Sequence, residues 1–174
     1  PRVINHCLIW GEYVQGNVGQ GSGGPWCPLT YLEDVIAAGI EFEGIGLQYY
    51  NPGRDLMECI QHLDRFIPFG KDIYITEMGT PSDSRPRGEV ETRQIDPNVG
   101  WRGPWTPERQ AKWVESWYTM AASRPQVKLM NWWDFDDERA FISHAGLLDG
   151  RGRPKPAYHH LHALFQHYGL GRFG

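Results

Sequence analysis

The chain has 174 residues, a formal charge of −4 at pH 7, 40% hydrophobic and 22% charged residues, proportions ordinary for a folded domain with a real core. That balance leaves no basic footprint for nucleic acid, and no apolar run reaches the length that crosses a bilayer. Three widely spaced cysteines (Cys7, Cys27, Cys59) offer neither a zinc spacing nor a disulfide framework, so they leave the compartment open.

Val3 to Tyr13 reads as a first strand around the apolar run Cys7-Leu8-Ile9-Trp10. A Gly-rich loop follows, then a helix from Pro28 to Gly39, with Pro near its start and Gly just past its end. Phe42 to Tyr50 is a second strand, too continuously apolar to alternate, as suits a strand buried on both faces. Asp55 to Phe66 has helical spacing, with Leu56, Ile60, Leu63 and Ile67 on one side. Asp72 to Met78 is a third strand. A long helix, Pro107 to Ser123, opens on Thr106 as N-cap with Pro107 in the first position. Val127 to Phe135 is a fourth strand, and Pro156 to Tyr168 a closing helix.

Four consecutive βα units imply parallel strands with right-handed crossovers. The long connections, 14–28, 78–105 and 136–154, all follow strands, while those after helices are short. Elaborate loops at the strand C-termini are the pattern of a TIM barrel, whose active sites lie on that face. A whole barrel needs eight units, so four make half of one.

Glu77 closes the apolar strand Ile73-Tyr74-Ile75-Thr76 on the side of the long loops. A carboxylate there is either a surface charge at a strand end or a nucleophile, general base or metal ligand. Eight Trp, eight Tyr and seven Phe give an aromatic content of 13%. Flat aromatic faces suit sugar rings, although core packing accounts for about half of such residues. Trp101 and Trp105 lie in the 78–105 segment, where they either wall a sugar-binding groove or belong to a mobile surface loop. The run His159, His160, His162 and His167 reads as a solvated helix face rather than a metal site.

Gly19-Gln20-Gly21-Ser22-Gly23-Gly24 formally matches the dinucleotide fingerprint G-x-G-x-x-G, with Glu43 about 20 residues on, so a half-Rossmann domain is one alternative. Pro25-Trp26-Cys27-Pro28 intervenes before the helix and spoils a phosphate site at its N-terminus.

Four ordered segments give a more specific resemblance. Cys7-Leu8-Ile9-Trp10-Gly11-Glu12-Tyr13, Glu43-Gly44-Ile45-Gly46-Leu47-Gln48, Ile75-Thr76-Glu77, and Trp133 with Asp137 and Phe141 resemble strands five to eight of glycoside hydrolase family 10. This is the endo-β-1,4-xylanase-like family of the clan A barrels. Leu147-Leu148-Asp149 and Pro154-Lys155-Pro156-Ala157-Tyr158 match its closing segment. The resemblance implies an α/β fold in which residues 1–174 supply the last four βα units, strands 5–8, of a single (β/α)8 TIM-barrel catalytic domain.

It further implies a retaining glycoside hydrolase acting on a β-1,4-linked plant polysaccharide such as xylan, requiring no metal or organic cofactor. Glu77 takes the position of the nucleophile, Gln48 sits near the sugar at the cleavage point, Trp133 packs on that sugar and Phe141 replaces a Trp flanking the cleft. Trp132, adjacent on the strand, points the other way into the core, and Asp137 orders a loop. Glu12 fits a sugar contact or a structural pair. It lies only two βα units from Glu77, whereas the clan places its acid/base three units away. The proton donor is therefore expected upstream of this chain, and the fragment alone is expected to be inactive.

The sequence departs from the family pattern at Gln48-Tyr49-Tyr50, where the family has Gln-Ser-His, and at Glu77-Met78-Gly79, where it has Glu-Leu-Asp. The His that bonds the nucleophile and the Asp that holds that His are both gone, and Tyr50 is the candidate replacement. A carbohydrate-binding barrel without catalysis is the other alternative. The expected partners are the saccharide and either the missing N-terminal half of the barrel or a second copy of the chain. With the first residue Pro1, a signal region would lie upstream, and the suspected substrate favours secretion or the periplasm.

Overall fold

The computed structural model describes residues 1–6, 27–50, 55–85 and 101–169. The elements are β1 (Val3–His6), α1 (Pro28–Ala37), β2 (Gly44–Tyr49), α2 (Leu56–Asp64), β3 (Asp72–Met78), α3 (Pro107–Ala122), β4 (Val127–Trp132) and α4 (Pro156–His167). The strands form one sheet in the order β1-β2-β3-β4, with β1 parallel to β2 and β2 parallel to β3. Strands laid down one after another in a single direction have no point at which strand order reverses. A dinucleotide fold binds its ligand at such a point, so the order of this sheet disfavours the half-Rossmann alternative.

The chain divides into two compact units. The first contains Pro1–Tyr50, Met57–Met78 and Arg124–Asn131. Ile45 and Leu47 of β2 stand beside Ile73 and Ile75 of β3, and all four are fully buried, as are Leu32 of α1 and Leu63 of α2. The opposite face of β2 carries glycines. A Cβ on Gly44 would lie 2.5 Å from the Tyr74 ring, and one on Gly46 would lie 2.5 Å from Asn5 Oδ1. The side chains of the flanking strands fill that space instead. Asp64, ending α2, takes a two-pronged ion pair from Arg124 (2.8 and 3.0 Å), just ahead of β4.

The second unit contains Asn51–Leu56, Gly79–Ser123 and Trp132–Gly174. Its centre is α3, whose Trp113, Val114, Trp117, Tyr118 and Ala121 make one buried stripe. Trp113 stacks on Trp117 (5.9 Å) and meets Trp132 edge-on (6.5 Å), while Tyr118 meets Phe165 of α4 edge-on (6.2 Å). Thr106 caps α3 as the sequence implies, its Oγ1 accepting from the Arg109 N–H at 3.2 Å.

Several boundaries differ from expectation. The second strand begins at Gly44 rather than Phe42, and the helix expected to reach Phe66 ends at Asp64, leaving Ile67 in a 3-10 turn, Ile67–Phe69. The fourth strand stops at Trp132 rather than Phe135. There the buried Asp134 turns the chain by accepting from the Phe141 N–H (2.7 Å) and the Ile142 N–H (3.2 Å). Trp101 and Trp105 are buried, 6% and 3% exposed, so neither presents a face as the wall of a groove. Cys7–Tyr13, with Glu12, and the loop Gly19–Gly24 lie outside the described residues.

Candidate active site

Strict alternation along β3 would put Glu77 on the face of Ile73 and Ile75, against the core. The structure prevents this with a bulge. Leu47 pairs with Ile75, but the next residue, Gln48, pairs with Glu77, so Thr76 is an extra residue on β3. Burial follows the shift: Ile73, Ile75 and Met78 are fully buried, while Thr76 and Glu77 are partly exposed. The bulge thus transfers the carboxylate to the face that carries Gln48.

Both carboxylate oxygens of Glu77 are engaged. Gln48 Nε2 donates to Oε1 at 2.8 Å, and the Tyr50 hydroxyl donates to Oε2 at 2.9 Å. Both donors are neutral, and among the described residues no cation forms an ion pair with Glu77. The arrangement fixes the carboxylate in orientation without neutralising it, which is what an attacking carboxylate needs. The Tyr50 side chain that makes the second of these bonds is buried, 7% exposed.

Thr76 itself is held at several points. Its hydroxyl donates to Asn5 Oδ1 (2.9 Å) and lies 3.4 Å from the Leu47 carbonyl, while its own carbonyl accepts from Asn131 Nδ2 (3.1 Å). The sequence reading did not single out Asn5, Thr76 or Asn131. The available signal was weak, since each of the three strands carries other polar residues as well.

In the second unit, Trp133 and Phe141 are 47% and 51% exposed, as faces available to a ligand must be. Trp132 is turned inward, its Nε1 donating to the Ala145 carbonyl at 2.9 Å. Asp137 orders its loop by accepting from the Gly146 N–H (2.8 Å) and pairing with Lys155 (2.9 and 3.1 Å). A Cβ on Gly146 would lie 2.4 Å from the Asp136 backbone, so only glycine permits this approach. Lys155 is a buried cation the sequence reading gave no role. Burial draws its pKa below the usual lysine value, opposed by the Asp137 carboxylate.

His160 of α4 is paired with Glu115 at 2.8 Å. Among the described residues, no group of three or more His, Cys, Asp or Glu is placed to hold a metal ion. Nor is any described helix long and apolar enough to cross a membrane.

Strands in this sequential order, alternating with helices, suit part of a (β/α)8 barrel, and the comparisons with known proteins agree. Residues 26–164 match the model of glycosyl hydrolase family 10, which covers most of the chain, and the chain belongs to that family. Its fold is that of a partial (β/α)8 barrel. It is 22% identical to endo-1,4-beta-xylanase B of Thermotoga neapolitana over 95% of this chain and 49% of the relative. Among solved structures, xylanase 10B of Thermotoga petrophila RKU-1, in complex with xylobiose, superposes with a TM-score of 0.64 at 20% identity, over 95% of this chain and 46% of that one. Xylanase 10C of Cellvibrio japonicus gives 0.64 at 15% identity, over 97% and 36%. The chain therefore spans about half the length, or less, of these relatives.

Proposed function

We propose that residues 1–174 are the C-terminal half of one catalytic domain, and that the complete enzyme is a retaining glycoside hydrolase acting on a β-1,4-linked plant polysaccharide such as xylan. The observation that carries this reading is the Glu77 carboxylate, turned onto the Gln48 face by the bulge and held by two neutral donors. Family membership and the likeness to xylanases support the substrate class.

In the proposed reaction one Glu77 oxygen forms a bond to the anomeric carbon as the bond from that carbon to the leaving oxygen breaks. The leaving oxygen takes a proton from a glutamic acid contributed by the upstream half. That residue, now a carboxylate, removes a proton from water, whose oxygen displaces Glu77 and regenerates both groups with net retention. Gln48 serves doubly, orienting Glu77 and approaching the sugar. Trp133 and Phe141 supply apolar faces for sugar rings, and Glu12 is a sugar contact or a structural pair. The missing half of the barrel or a second copy of the chain is the expected protein partner, and a plant polysaccharide as substrate favours secretion or the periplasm. On this reading the fragment alone binds sugar weakly and does not turn it over.

The test is Glu77→Ala in the complete enzyme, assayed on xylan and on an aryl β-xylobioside, with the anomer of the first product followed by NMR. The expected result is retention in the parent and a loss of roughly 10⁴- to 10⁶-fold in kcat in the variant, the scale on which removing a catalytic nucleophile acts. A fully active variant, or inversion, overturns the mechanism. A parent that binds xylan and hydrolyses neither substrate indicates a binding protein instead.

A further inference from the structure

The bulge that aims Glu77 is a single extra residue, and a register slip of one residue moves every later side chain to the other face of a sheet. Something must therefore hold the extra residue in place. Nothing in Ile75-Thr76-Glu77 does so by itself, since a Thr in a strand has no intrinsic preference for a bulge over regular pairing.

The contacts of Thr76 supply the restraint. Its hydroxyl donates to Asn5 Oδ1, from β1, two strands away across β2. That reach is possible because the intervening position is Gly46, where a Cβ would lie 2.5 Å from the same Asn5 oxygen. On the other side, Asn131 of β4 donates to the Thr76 carbonyl. A buried or half-buried backbone carbonyl costs free energy unless a donor meets it, and at a bulge the ladder is locally disrupted. Here Asn131 supplies a side-chain donor at 3.1 Å. Asn5 and Asn131 thus grip one residue from both sides of the sheet, and that residue immediately precedes Glu77.

We propose that Thr76 is a positioning residue, fixed by Asn5 and Asn131, and that this three-residue clamp keeps the Glu77 carboxylate on its Gln48 and Tyr50 donors. The consequence for catalysis rests on the reading of Glu77 as nucleophile; the geometric claim does not. Valine at position 76 keeps the shape and β-branching of threonine but cannot donate to Asn5, whereas serine keeps the hydroxyl.

The experiment uses the complete enzyme with Thr76→Val, Thr76→Ser and Asn131→Ala, an aryl β-xylobioside as substrate, and a crystal structure of Thr76→Val. A displacement near 1 Å at a reacting group costs on the order of 10²-fold. Thr76→Val is expected to lower kcat by roughly 10- to 100-fold with KM within about twofold. Thr76→Ser should stay within about threefold of the parent, with Asn131→Ala in between. The crystal structure should show the carboxylate moved off Gln48 or Tyr50. An unmoved carboxylate in Thr76→Val overturns the clamp, whatever Glu77 does. So does an equal loss in Thr76→Ser, or a loss confined to KM. If Glu77→Ala is active while the carboxylate moves in Thr76→Val, the clamp stands as geometry and the nucleophile reading falls.

Discussion

Glu77 and Asp137 carry the same functional group, and each has both oxygens engaged, but their partners differ in charge. Glu77 receives hydrogen bonds from an amide and a phenol, neutral groups that orient it, with no ion pair to it among the described residues. Asp137 receives a lysine ammonium and a backbone N–H, with both ionic side chains nearly buried, 8% and 13% exposed. Lys155 spends its three protons on Asp137, on Ser82 Oγ (3.0 Å) and on the His144 carbonyl (3.0 Å). His144 adopts a φ of +60°, a left-handed conformation uncommon outside glycine, and that carbonyl also accepts from the Ser82 N–H and hydroxyl. One carboxylate is oriented by neutral donors and the other is consumed in fastening loops together.

The comparison is broken most readily at Lys155. Lys155→Met leaves Asp137 buried without its cation and is expected to cost about 3–5 kcal/mol of stability, measured by denaturant unfolding. Adding Asp137→Leu should recover part of that loss, because the stranded charge disappears. A stability unchanged in Lys155→Met would show that the pair fastens nothing.

Tyr50→Phe makes the opposite demand. It removes one charged-acceptor hydrogen bond from Glu77, about 1.5–3 kcal/mol, hence a fall in kcat of roughly 10- to 150-fold. Its melting temperature should move little, since the ring is retained. Unchanged activity removes the proposed role of Tyr50.

The pH dependence of stability separates the groups further. Lys155 has a folded-state pKa below 10.5, chiefly from burial, so the unfolded chain holds that proton more tightly. Where the unfolded state binds more protons, stability rises with pH. The contribution of Lys155 therefore improves as pH climbs toward 10.5, a slope that Lys155→Met should lack in unfolding measurements across that range.

Asp149, more exposed, shows the smallest effect. The backbone N–H and side chain of Arg153, then the Arg151 N–H, lower its pKa from 3.8 to about 2. Its contribution is fully present above pH 3.8 and is lost as pH falls through about 2. The difference in urea midpoint between the parent and Asp149→Asn should close over that interval.

Much of this structure is legible in local chemistry. Pro28, Gly39 and Pro107 mark helix ends by rules about missing N–H groups and left-handed backbone, and Thr106 caps α3 through its own hydroxyl. The strand carrying Glu77 was readable from its apolar run. Its direction was not, because simple alternation places Glu77 with Ile73 and Ile75 and only the bulge at Thr76 reverses it. That bulge depends on Asn5 and Asn131, which are far apart in sequence and meet only through the sheet. Trp101 and Trp105 misled for a related reason: a loop has no periodicity to mark which side chains turn inward, and both are buried. Lys155 sat in plain view between Pro154 and Pro156, but nothing local signals that a lysine finds three acceptors.

The central claim, that Glu77 is the nucleophile, is tested most directly by trapping the glycosyl–enzyme. The complete enzyme is incubated with a 2,4-dinitrophenyl 2-deoxy-2-fluoro-β-xylobioside and digested, and the labelled peptide is sequenced by mass spectrometry. The account predicts release of one equivalent of dinitrophenolate and the fluorosugar attached to Glu77. A label on Glu12, or hydrolysis of xylan by an enzyme that takes no label and gives the inverted product, would contradict it.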